Sequence, residues 1–180
     1  GTPSMGSSGD VAFHGFLKVG VGGVTVNDDG ALWCRTAGGP LRLVAREGDS
    51  LPNLPPGFMA GSVQYVQSGF SFSNTPLINS GGQVAFSIPT NYGQMLMSES
   101  RTMSPPRVVA YQGQPAPGLG NVSFLNFPSM TINDDGYLAF NATLTGIGVT
   151  TENEESIWVE EGGTLRLIAR EGDPAPGGGF

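Results

Sequence analysis

The sequence predicts an all-β chain made of three four-stranded antiparallel repeats that pack in the manner of propeller blades. Three observations lead there. Leu41-Arg-Leu-Val-Ala-Arg-Glu-Gly-Asp49 returns as Leu165-Arg-Leu-Ile-Ala-Arg-Glu-Gly-Asp173, and in weaker form as Pro106-Arg-Val-Val-Ala-Tyr-Gln-Gly-Gln114, a period of about sixty residues. On the same beat, Asn79-Ser-Gly-Gly-Gln-Val-Ala-Phe86 matches Asn133-Asp-Asp-Gly-Tyr-Leu-Ala-Phe140, and Gly6-Ser-Ser-Gly-Asp-Val-Ala-Phe13 is its first copy. Apolar residues fall in short alternating runs between Gly- and Pro-rich junctions, and no helical period of useful length appears.

Each repeat divides into four strands. Strand one is an aromatic-rich run, residues 122–127 in the last copy and about 63–72 in the middle one. Strand two follows the Asn-x-x-Gly turn. Alternation puts Val84, Phe86 and Ile88 on one face, and likewise Leu138, Phe140, Ala142 and Leu144, so Phe13, Phe86 and Phe140 are the expected core of strand two. Strand three carries Gly30-Ala-Leu-Trp33, echoed by Gly93-Gln-Met-Leu96 and Glu155-Ser-Ile-Trp158; this aligns Trp33 and Trp158 with Leu96 as core residues. In strand four, alternation sets Leu41, Leu43 and Ala45 against Arg42 and Arg46.

The repeats span residues 1–53, 54–118 and 119–180. A meander of this size cannot bury its own apolar face and needs siblings beside it. A propeller-type blade fits best, with a β-trefoil or β-prism as the threefold alternative. Pro3-Ser-Met aligns with Pro128-Ser-Met130, so the first repeat is expected to lack its first strand. Three blades also fall below the usual closed ring. The expectation is a piece of a longer array or an assembly of chains, with self-association or neighbouring repeats as partners.

Composition narrows the function classes. The formal net charge is −7, and Lys18 is the only lysine among 8 Lys and Arg residues. An acidic chain without a basic stripe is repelled by phosphate backbones and anionic membranes, so no nucleic acid partner is expected. No apolar run is long enough for membrane insertion as a spanning helix. Cys34 is the single cysteine, which rules out an intrachain disulfide and a Cys-based zinc site; it reads as a small hydrophobe. Gly (29) and Pro (14) are abundant enough to suggest disorder, but the clustered apolar runs argue against it.

Candidate chemistry is sparse. The Asn-Asp-Asp-Gly turns at 27–30 and 133–136 offer Asp28, Asp29, Asp134 and Asp135 as oxygen ligands for calcium. A hairpin turn explains the same residues, and Asn79-Ser-Gly-Gly82 fills the equivalent place without a carboxylate. Arg46, Glu47 and Asp49, with Arg170, Glu171 and Asp173, form charged corners after strand four, expected to pair Arg with a carboxylate of the same or next repeat. His14 lies on the outward face of strand two, aligned with Ser87 and Asn141, a generic polar slot without a nucleophile or metal partner. No catalytic residue and no cofactor are expected.

The Asn-x-x-Gly-x-x-Ala-Phe pattern, followed by Leu-Arg-Leu-Val-Ala-Arg-Glu-Gly-Asp-Pro-Ala-Pro-Gly, resembles a bacterial tandem-repeat family named for its NxxGxxAF repeat and for varied surface-anchoring segments. The match is complete at 79–86 and 133–140 and departs at Gly6. The resemblance implies an extracellular or cell-surface protein and brings no established activity. The expected function is therefore an exported β-repeat scaffold or binding module, self-assembling through its terminal repeats, with a surface glycan or protein as ligand. The alternative is a glycan-binding or glycan-hydrolysing protein of propeller type. Its carboxylates would have to break the threefold pattern, as Glu160, Glu161 and the acidic run at 152–155 do, although these sit beside turns.

Overall fold

The computed structural model describes residues 2–48, 75–90, 93–99 and 105–174. The first sheet contains β1 (Ser4–Met5), β2 (Val11–Phe16), β3 (Gly30–Arg35) and β4 (Leu41–Arg46). The second contains β5 (Leu77–Ile78), β6 (Val84–Thr90), β7 (Gly93–Ser98) and β8 (Arg107–Tyr111). The third contains β9 (Val122–Ile132), β10 (Leu138–Gly146), β11 (Glu155–Glu161) and β12 (Thr164–Arg170). Each is a four-stranded antiparallel meander whose strands follow chain order, and no helix occurs among the described residues. The run at 63–72 lies outside the described residues; the middle repeat's first described strand is β5.

The sheets stack face to face. The middle sheet is buried on both sides: Val84, Phe86, Ile88, Met95 and Met97 pack with Ala12, Leu32, Cys34, Val44 and Ala45 of the first repeat. Its opposite face, with Ala85, Leu96, Val109 and Ala110, packs on Phe124, Leu138, Phe140, Leu144 and Trp158 of the third. Two separate cores on either side of one sheet define blade-like stacking; a prism would turn all three inner faces toward one shared core. Each seam thus joins a face of smaller residues to a bulkier face of the next repeat, with Phe86 and two methionines in the first seam and an aromatic cluster in the second. Phe124, Phe127, Phe140 and Trp158 meet in tilted and edge-to-face contacts, the arrangement that ring quadrupoles favour.

Register corrects several expectations. Phe13 pairs Trp33, Phe86 pairs Met97, and Phe140 pairs Trp158. Met97, not Leu96, therefore occupies the tryptophan position, and Leu96 points the other way with Leu32 and Ile157. A one-residue slip of this kind exchanges the faces of a strand. All three repeats carry a β-bulge at one position, between Leu32 and Trp33, Leu96 and Met97, and Ile157 and Trp158. The bulge inserts Val44 opposite no partner, so Ala45 returns to the face of Arg42, and Leu41 and Leu43 stand on the other. The simple alternation expected for strand four fails there.

The first repeat begins with a two-residue stub of its first strand, β1, where the third repeat has the eleven residues of β9. Ser4 and Met5 pair Ala12 and Val11, which aligns them with Thr131 and Ile132 and not with Ser129 and Met130. Phe13 is a further correction: Phe86 and Phe140 are buried, whereas Phe13 is half-buried, because among the described residues no sheet stands in front of the first repeat's aromatic face.

Candidate functional site

The Asn-x-x-Gly turns are built alike. The glycine N–H donates to the carbonyl three residues back: Gly9 to Gly6, Gly82 to Asn79, and Gly136 to Asn133. Gly82 and Gly136 sit at φ 75° and 80°, where a side chain is strained. Gly136 also abuts the Gln83 amide, at 2.8 Å from the place of an added Cβ. The Asn79 carboxamide oxygen accepts from the N–H groups of Gly81 and Gln83. Its Nδ2 donates to Gln83 Oε1 at 2.8 Å and to Asn133 O of the next repeat at 3.0 Å. Ser80 N donates to Asp134 Oδ1, and Ser8 Oγ donates to Ser80 O. The turns therefore form a hydrogen-bonded ladder from repeat to repeat, and the motif asparagine both closes its own turn and ties it to the next. Asn79→Ala is expected to cost about 2 kcal/mol in urea unfolding, because buried backbone donors and a cross-repeat bond are lost together.

The two Asn-Asp-Asp-Gly tetrapeptides are not structural equivalents. Residues 133–136 lie between β9 and β10; residues 27–29 lie between β2 and β3, and Gly30 opens β3. The counterpart of Asp28 is Asn153. Thr25 N donates to Asp28 Oδ1 as Thr150 N donates to Asn153 Oδ1, and the hydroxyls of Thr25 and Thr150 accept from Asn27 N and Glu152 N. The Thr25 N–H, then its hydroxyl, hold the Asp28 carboxyl below its ordinary range. The Ser80 hydroxyl and N–H do the same for Asp134. Asp28 and Asp29 thus serve one turn and Asp134 and Asp135 another, in different repeats. Among the described residues no group of three or more His, Cys, Asp or Glu is placed to hold a metal ion.

The charged corners are intrarepeat structures. Arg46 Nη2 meets Asp28 Oδ2 at 2.8 Å and its Nε donates to Asp28 O. Arg170 Nε donates to Asn153 O at 2.8 Å in the third repeat. Glu47 is buried, accepts from Gly30 N, and has its carboxyl pushed up by burial. Glu171 N donates to Glu155 O, and Asp173 N to Arg170 O. Asp49 lies outside the described residues.

Sequence reasoning did not pair the residues that join the repeats, and it read Glu160 as outside the threefold pattern, whereas Glu160 faces Leu138 as Glu99 faces Val84. Arg42, opposite Cys34 on β4, crosses to Glu99 of the second repeat with bonds of 2.5 and 2.8 Å, and also donates to Gly82 O. Arg107, at the same place on β8, crosses to Glu160 of the third repeat at 2.6 Å. Glu99 and Glu160 are 2% and 1% exposed, so both carboxylates are enclosed by their partners. Glu99 also accepts from Val84 N, and Glu160 from Gly163 N. Arg166 is the third member of the arginine series; its partner is Glu161 of its own repeat, an exposed pair at 3.2 Å. An open cleft of about 340 Å³ runs along the second seam, lined by Gln83, Glu99, Arg107, Asp135 and Tyr137.

His14 is placed on the face turned to the second repeat, correcting the outward assignment; the aligned Ser87 is fully buried and Asn141 is exposed. Desolvation pushes the His14 pKa down to about 3. The unfolded chain takes up that proton below about pH 6.5. Stability contributed by the neutral ring is thus complete above that pH and is lost as pH falls toward the folded value. His14→Asn is expected to flatten the decline of the urea midpoint between pH 6.5 and 4 and to leave the neutral value nearly unchanged. Cys34 is buried in the first seam, where burial raises its thiol pKa.

These repeats define an all-β stacked-repeat protein. The whole chain, residues 1–180, matches a family of unknown function, DUF7453, and belongs to it. Comparison with curated proteins and with solved structures gave no match.

Proposed function

We propose that the protein is an exported bacterial scaffold: an array of stacked β-repeats displayed at the cell surface, where its edges and seams carry binding. The observation that carries this reading is where the chain spends its buried charge. Glu99, Glu160 and the motif residue Asn79 all engage a neighbouring repeat. Buried ion pairs at a boundary fix geometry more than they add stability, which suits a protein whose task is to hold shape. The NxxGxxAF resemblance supports export and surface display.

Proteolysis of intact bacteria producing the protein tests the location. The expected result is cleavage by an added protease without lysis, while a cytoplasmic marker survives. Cleavage only after lysis would overturn the surface reading.

A further inference from the structure

The two outer sheet faces of the array copy the two halves of its internal seams. On the third repeat, Ile157 and Ile168 hold the positions of Leu96 and Val109, which are buried beneath the third repeat, yet they are 44% and 49% exposed. Ala139 stands there for the buried Ala85, and Asn133 for the Asn79 that bonds the following turn. Arg166 stands where Arg42 and Arg107 reach a carboxylate of the following repeat. This face therefore continues an interface the molecule builds twice already.

The first repeat carries the opposite half: Phe13, Trp33 and Leu43 stand for Phe86, Met97 and Val108. One residue breaks the match. Arg35, opposite Val11 as Glu160 is opposite Leu138, occupies the carboxylate position. It is exposed and donates only to Gly39 O among the bonds described. A second copy seated head-to-tail would bring Arg35 to Arg166, and like charges at an interface core suppress wrong partners.

We infer that the outer face of the third repeat receives another four-stranded repeat of this kind that bears a carboxylate at the Arg35 position, and rejects the first repeat of a second copy of this chain. The inference rests on the stacked-scaffold reading, but it concerns association and not cellular location, so the protease experiment and the one below fail independently.

The test mixes the native chain with the double variant Arg35→Glu/Arg166→Glu and follows mass by light scattering and sedimentation. The native chain has a competent third-repeat face and a mismatched first; the variant has the reverse. Both residues are exposed, so both proteins should fold, as circular dichroism will check. The expected result is that each protein alone is a monomer and the mixture forms alternating head-to-tail assemblies of one-to-one composition, because the charge reversal also makes the variant's third-repeat face complementary to the native Arg35. Their affinity should exceed that of either self-association by on the order of a hundredfold, the scale of exchanging a like-charge contact for an opposite one. Two outcomes overturn the inference. One is native self-association abolished by Arg166→Glu, which would make a second copy the occupant. The other is a mixture that stays monomeric, which would show that a carboxylate does not license docking.

Discussion

Replacing Glu99 with alanine is expected to destabilise the protein by about 3–5 kcal/mol, read from urea unfolding by circular dichroism. The substitution leaves the Arg42 guanidinium half-enclosed without its counter-charge, and removes the acceptor for the buried Val84 N–H. An uncompensated buried charge costs far more than the net worth of the pair. Replacing both partners, as Arg42→Met/Glu99→Gln, should recover part of the loss, since no charge is then stranded and the carboxamide oxygen of the introduced glutamine can still accept from Val84 N. Arg166→Ala is the internal control. Its partner is an exposed rim carboxylate, so its cost should stay below about 1 kcal/mol.

The same motif position should respond differently in different repeats. Phe86→Ala is expected to cost about 3–5 kcal/mol, because the ring is fully buried against the first repeat and a cavity remains. Phe13→Ala removes an identical, half-buried ring from a face that no described sheet covers and should cost about 1 kcal/mol, mostly lost contact with its own sheet. The difference comes from what stands in front of each ring, since both pair with a large residue on strand three. Equal losses at the two sites would mean that the sheets do not stack as described.

The repeat itself and the faces of strand two were legible in the sequence, because a period of two is written directly in Val84, Phe86 and Ile88. The turns were legible as turns because Asn and Gly have a local reason to be there. What escaped was non-local. The tetrapeptide shared by 27–30 and 133–136 suggested equivalence, yet a turn is placed by the strands it connects, and Asp28 answers to Asn153. Glycine guided the strand-three alignment, whereas the true marker is the partner of the motif phenylalanine. The bulge that moves Val44 and Ala45 leaves no mark in composition. The pairing of Glu99 and Glu160 was hidden because each belongs to an arginine on another sheet, 57 and 53 positions back. One signal was present: an arginine recurs at 42, 107 and 166, and a recurring cation in a half-buried strand calls for a recurring acid.

A double-mutant cycle between Arg107 and Glu160 is the sharpest check, because these residues lie in different sheets and can influence one another only across a seam. A coupling energy of at least about 1 kcal/mol, diminished little by salt, is the predicted result for a partner so enclosed. Additive effects, with no coupling beyond experimental error, would contradict the arrangement of interlocked repeats.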